Sequence, residues 1–216
     1  SAGSTLPSSS CRFQLSKISS PNIWNAARRS SGLESEAPAR RWRSRNVKNI
    51  VLHDSVTRSA RSTFNVLEKK GYSTHYIIGE DGQIFECLDP AKERGIHAAK
   101  YNTTSVGIDV SMVGRKGLRK DRDAERMKRL RRVAYSPRGR YKDVVDYTPA
   151  QKASLSYLTA HLCERFSIPY RVPAGPYDYG AKVDGISPRY AGIVAHGQVS
   201  ERRWDGGVGI LTVMEA

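Results

Sequence analysis

An α/β fold with a mixed central β-sheet flanked by helices is what this 216-residue sequence predicts, and three observations predict it. Apolar runs of strand type and stretches of helical periodicity follow each other in the order β, α, β-hairpin, β, α, β, which suits a sheet with helices packed on it. Two of the strand-like runs, VKNIVLH and GIVAH, end on histidines, His53 and His196. The stretch YTPAQKASLSYLTAHLCERF carries a full set of helix start and stop signals.

In chain order, residues 1–46 are rich in Ser, Arg and Ala without sustained periodicity and read as a basic leader, partly ordered at best. Residues 47–216 form the domain. VKNIVLH is its first strand. Ala60, Phe64 and Leu67 then recur at helical spacing and Gly71 supplies a stop. THYIIGEDGQIFECL reads as two strands joined by a turn at Glu80, Asp81 and Gly82. SVGIDVSMVG, residues 105–114, is a further strand. LRKDRDAERMKRLRRVAY suggests an exposed helix, with SPRGR as a turn. In the long helix Thr148 is the N-cap, Pro149 fits the first helical position and Gln151 completes a capping box. Leu155, Leu158, Leu162 and Phe166 make its buried stripe, and Pro169 closes it. Arg171 to Arg189 is a Pro/Gly/Tyr-rich loop, and GIVAH is the last strand.

The chain is long enough for one domain with a real core, yet its hydrophobic content of 38% is low for a compact domain, so part of it is tail or insertion. The net charge of +15 is concentrated: about +7 falls in residues 1–48 and about +10 in residues 115–142, leaving the rest near neutral. The insertion is bounded at about 115–146. Such patches attract polyanions through salt-sensitive forces, and nucleic acid, anionic lipid and anionic envelope polymers all qualify. A solvated, mobile loop explains the same charge. Cys11, Cys87 and Cys163 are too scattered for a disulfide framework or a zinc knuckle. No apolar run approaches the ~20 residues of a transmembrane span, and no signal-peptide pattern opens the sequence.

Histidines at two strand ends, with Asp205 nine positions after His196, offer two imidazoles and one carboxylate. Catalytic zinc sites use three such ligands and keep the fourth position for water, whose pKa falls to about 7. Strand-end histidines are also common as hydrogen-bonded structural or surface residues, so the pair by itself does not decide the matter.

The surrounding segments carry more. IVLHDS, STHYIIGEDGQIFE, GIHAAKYNTTSVGID and AHGQVSERRWDGG occur in this order. Together they resemble the zinc-dependent N-acetylmuramoyl-L-alanine amidases of the amidase-2 type, a superfamily that includes phage lysozyme-like amidases and peptidoglycan-recognition proteins. The resemblance runs over about 47–112 and 147–208. It implies a Zn²⁺ held by His53, His196 and Asp205, peptidoglycan or a muropeptide as substrate, and action on the bacterial cell wall. It places Arg203, two positions before Asp205, as the oxyanion stabiliser, a role that a permanently charged fork of donors suits. The acid/base position in the SVGID strand is Asp109, one methylene shorter than the family's glutamate. Where other members carry a tyrosine proton carrier, this chain has Thr74, which cannot replace it. His97 and Asn102 match groove-lining positions, and with Thr74 they are the expected substrate contacts; for His97 a role behind the metal ligands, or plain packing, is an equal alternative. His75 is expected to pack beneath the site, His161 to lie on the surface or between helices, and Trp204 to shield the metal, meet substrate or simply pack. The long basic insertion departs from the family pattern. A recognition module that binds peptidoglycan without cutting it is the alternative function, and an anionic-polymer or nucleic-acid binder ranks behind it.

Overall fold

The computed structural model describes residues 45–136, 140–173, 186–200 and 203–216. The leader up to residue 44, with Cys11, most of the SPRGR turn and the greater part of the 171–189 loop lie outside the described residues.

A five-stranded sheet in the order β3-β2-β4-β1-β7 organises the domain. Its strands are β1 (Asn49–Asp54), β2 (Tyr76–Ile78), β3 (Ile84–Glu86), β4 (Ser105–Val110) and β7 (Gly192–Ala195). Strands β4 and β7 both pair with β1 in parallel, β2 pairs with β4 in parallel, and β3 closes the edge antiparallel to β2. The sheet is therefore mixed, as expected. Helix α1 (Ala60–Lys69) follows β1 and starts at Ser59, whose side chain accepts from the Ser62 amide. Gly71 follows it at φ 67°, a conformation that glycine adopts without strain. The hairpin turn also has its glycine in the left-handed region, Gly82 at φ 79°.

Strand alternation divides the sheet into two faces. Ile50, Leu52, Ile108, Val110, Ile193 and Ala195 belong to the large core, together with Leu155, Leu158 and Leu162 of α3 (Pro149–Phe166) and Val208, Ile210 and Val213 of α5 (Gly207–Glu215). Each large apolar side chain buried there stabilises the fold by about 1.5–3 kcal/mol. Helix α3 starts as the sequence predicts, with Thr148 accepting from the Gln151 amide and Pro149 in its first turn. Phe166 is only partly buried against the core. The opposite face carries Val51 and Val194, covered by Ala98 and Tyr101. Among the described residues no helix is long and apolar enough to cross a membrane.

Two features depart from the sequence expectation. The stretch expected as one exposed helix holds only α2 (Ala124–Lys128) as α-helix; Leu130–Ser136 is instead strand β5, paired antiparallel with β6 (Arg140–Val145). Hairpin pairing with the next strand, β6, outweighs the weak helical preference of this run. Basic side chains of the insertion are also spent internally. Arg126 and Arg129 face Glu80 of the hairpin, Arg115 and Arg132 face Asp143, and Arg126 also meets the buried Asp123 carboxylate, which Arg58 from outside the insertion grips with both terminal nitrogens. The second departure is α5, a C-terminal helix that the sequence reading did not include.

Candidate metal centre

The site grows out of strand register. In the β1–β4 pair His53 stands opposite Asp109. In the β1–β7 pair Leu52 stands opposite Ala195, so His196, the next residue, follows beside His53. His196 opens a single helical turn, α4 (His196–Val199), whose first amide is secured by the Gln198 side chain accepting from the Ala195 N–H at 2.8 Å. Asp109, His53 and His196 thus form a row across three adjacent strands, at the ends toward which those strands run.

Asp205 arrives from the loop before α5. Its backbone carbonyl accepts from the Gly197 amide at 3.0 Å, tying that loop to the His196 turn. The next residue, Gly206, has φ 91°, and a side-chain carbon there would stand 2.2 Å from the Leu52 carbonyl oxygen. Only glycine lets the chain approach β1 this closely. The Gly206 amide donates to Asp54 Oδ2 at 2.7 Å, and the Tyr147 hydroxyl donates to Asp54 Oδ1. Asp54 is buried on the core-facing side of β1, so this carboxylate clamps the Asp205 turn to the strand that carries His53. Sequence reasoning missed Asp54 and Tyr147. The signal was present: period-two alternation puts Asp54 on the same face as Ile50 and Leu52, where an acid needs a reason.

Asp205 Oδ2 lies 3.1 Å from His53 Nδ1 and 3.1 Å from His196 Nδ1. One ligand atom from each of the three residues falls within 4.8 Å of the others, and the two imidazole rings meet edge-on with centroids 4.7 Å apart. The three expected ligands are brought together. At such distances each histidine Nδ1 either donates an N–H to the Asp205 carboxylate or shares a metal ion with it. Tetrahedral ligation at about 2.0–2.2 Å would separate the ligand atoms by about 3.3 Å, near the 3.1 Å between Asp205 Oδ2 and each histidine Nδ1. Two imidazoles and one carboxylate also match zinc chemically, so the donor set fits.

Electrostatics follow from burial and mutual proximity. Burial opposes charge on Asp205, yet the hydrogen-bonding histidines outweigh it and hold the carboxyl far below its usual range. Burial likewise disfavours the His53 cation, but Asp109, Asp205 and Asp54 prevail and raise its pKa. His196 is lowered, first by burial and then by the charges of His53 and Arg203, against the pull of Asp205. Asp109 is raised, chiefly by burial, with His53 acting against the rise. Asp54 is pushed up to about 6 by burial, opposed by the Tyr147 and Gly206 hydrogen bonds.

The remaining predicted residues are placed as follows. Thr74 is buried, and its hydroxyl favours the charged form of Asp109 although it makes no hydrogen bond of good geometry. It borders a cavity between α1 and the hairpin, where Phe64, Leu67 and Ile77 also stand. Asn102 Oδ1 accepts from the His97 and Ala98 amides at 3.0 and 2.7 Å, which shapes that loop from within. His97 turns both ring nitrogens inward, Nδ1 to His53 Nε2 at 3.0 Å and Nε2 to Ser105 Oγ at 3.2 Å. His75 lies outside the ligand set: its Nδ1 accepts from the Gly107 amide, its Nε2 stands 3.0 Å from the Glu93 carbonyl, and burial pushes its pKa down to about 4. Arg203 is exposed. Trp204 packs against the core, and His161 stacks on Tyr157 of α3.

Residues 43–208 match the model of a protein family described as N-acetylmuramoyl-L-alanine amidase. No curated protein matches the chain. Among solved structures it is similar to AmpDh3 from Pseudomonas aeruginosa in complex with anhydromuramic pentapeptide, at 18% identity and TM-score 0.43 over 77% of this chain and 55% of that one. It is similar to the amidase LysC from Clostridium intestinale at 17% identity and TM-score 0.43, over 72% of this chain and 73% of that one. A third is AmiD from E. coli, at 20% identity and TM-score 0.43 over 76% of this chain and 53% of that one. The chain thus spans about half the length of the AmpDh3 and AmiD chains.

Proposed function

The chain belongs to the N-acetylmuramoyl-L-alanine amidase family, whose model it matches over residues 43–208, and from that membership we propose that it is a zinc hydrolase of peptidoglycan. The bond cut is the amide between the lactyl group of N-acetylmuramic acid and L-alanine, in intact wall or in a muropeptide. The observation that carries this reading is the convergence of His53, His196 and Asp205 at ligating distance.

His53 Nδ1, His196 Nδ1 and an oxygen of Asp205 would hold the ion. When bound, Zn²⁺ supplies a water acidified toward neutrality and polarises the carbonyl under attack. Asp109 sits beside His53 in register, buried and with its proton affinity raised, which suits a group that takes a proton from the attacking water and hands it to the leaving amine nitrogen. The exposed Arg203, whose charge reaches His196, is assigned to the developing oxyanion. His97, Asn102 and Thr74, expected as substrate contacts, keep their polar atoms inside the protein instead, so in this reading they support the β4 side of the site from behind. Hydrolysis consumes one water and yields a carboxylate on the muramic acid and a free amino group on the alanine.

Purified peptidoglycan tests this directly. New alanine amino termini should appear with zinc and vanish with a chelator or with His53→Ala. A non-catalytic recognition module is the second reading, favoured by Thr74 in place of a tyrosine and by the short side chain of Asp109. Saturable wall binding without new amino termini would select it.

A further inference from the structure

His97 has both ring nitrogens engaged inside the protein, and the direction of its hydrogen bonds can be deduced from the far end. Ser105 Oγ lies 2.7 Å from the Tyr101 carbonyl oxygen. A carbonyl only accepts, so the Ser105 hydroxyl proton points there. Ser105 Oγ is then an acceptor toward His97 Nε2 at 3.2 Å, and His97 must carry its proton on Nε2. That leaves a lone pair on His97 Nδ1, which faces His53 Nε2 at 3.0 Å. His53 Nε2 must therefore carry a proton, and in the neutral ring Nδ1 is left bare, pointing at Asp205. Gly107 makes the arrangement possible: a side-chain carbon at that position would stand 2.9 Å from the His97 ring. Ser105 is fully buried, which keeps water from competing for these bonds.

We propose that His97 and Ser105 are positioning residues that lock His53 into the tautomer with Nδ1 unprotonated, so that the ring presents a ligand lone pair to the metal. Neutral imidazole in water populates both tautomers, and the wrong one would direct a proton at the ion. Outer partners of this kind typically change metal affinity by about 10–100-fold. The inference rests on the proposed metal centre for its purpose but not for its geometry.

Long-range proton–nitrogen NMR of the histidine rings tests it, on metal-free protein at a pH where the rings are neutral and again with zinc. His53 and His97 should both carry their proton on Nε2 in both states. In His97→Leu the neutral His53 ring should become a mixture of tautomers, and zinc affinity measured by chelator competition should fall about 10–100-fold. His97→Asn, which can keep an acceptor oxygen near the Nδ1 position, should restore most of that affinity. Ser105→Ala, a smaller change, should loosen the His97 tautomer and weaken zinc by a lesser factor. If His97→Leu does not fold, Ser105→Ala and the wild-type spectra still decide. A wild-type His53 with its proton on Nδ1, or folded variants with unchanged tautomers, would overturn the inference. Failure of the wild-type protein to bind zinc would instead overturn the proposed metal centre, while the metal-free spectra would still judge the tautomer.

Discussion

His53 Nδ1 and Asp205 Oδ2 stand 3.1 Å apart although 152 positions of chain separate them. Two independent constraints produce this. Parallel pairing of β1 with β7 sets His53 beside His196, and the Asp54 carboxylate holds the Gly206 amide, and with it the Asp205 turn, against the end of β1. The site is therefore a product of backbone register and one buried clamp rather than of local sequence.

Asp109 should act on the chemical step and little on the metal. Asp109→Asn is expected to lower kcat by about 10²–10⁴-fold, the span of general acid–base catalysis, with zinc affinity nearly unchanged. Steady-state kinetics on a soluble muropeptide, alongside a zinc competition assay, would check both parts. Equal losses in zinc binding and in kcat would assign Asp109 to the metal instead.

The clamp predicts a pH-dependent stability. Folded Asp54 has its pKa pushed up to about 6, against about 3.9 in the unfolded chain. The folded state thus holds this proton more tightly. The associated stability is full below about pH 4 and is lost as pH rises through about 6. Tyr147 donates to Asp54 and favours its charged form. Tyr147→Phe should therefore raise the folded pKa further and destabilise the metal-free protein by about 1.5–3 kcal/mol at pH 8, with a smaller loss near pH 4.5. Urea denaturation at the two pH values measures the difference; an equal loss at both would remove Asp54 from the explanation.

Much of this was legible beforehand, and the exceptions have physical causes. Strong local signals held: the Thr148 cap, the hairpin around Gly82 and the apolar strands ending at His53 and near His196 all stand where the sequence predicts. The approach of Asp205 to the histidines was expected from the resemblance, not from spacing, because nothing local connects residue 53 to residue 205. Strand β5 differs from the expected helix because a run of arginines leaves helix and strand nearly balanced, and pairing with the adjacent β6 decides between them. The inward engagement of His97 and the clamp role of Asp54 depend on tertiary neighbours that no local pattern reveals.

Gly206 is a sharp structural test. Gly206→Ala forces a side-chain carbon toward the Leu52 carbonyl in a left-handed backbone conformation. A loss of about 3 kcal/mol or more is expected, with displacement of Asp205 and weaker zinc binding. Thermal melting with and without zinc would show both effects. An unperturbed melt would mean that the turn does not approach β1 so closely.

The most direct measurement is a zinc titration of the metal-free protein and of Asp205→Ala, with folding of each checked by circular dichroism. The wild-type chain should take up one zinc ion tightly, and the variant should bind more than about 10²-fold more weakly, beyond the range typical of outer partners. Zinc uptake that is absent from the wild-type chain, or equal in the two proteins, would contradict a metal centre built from His53, His196 and Asp205.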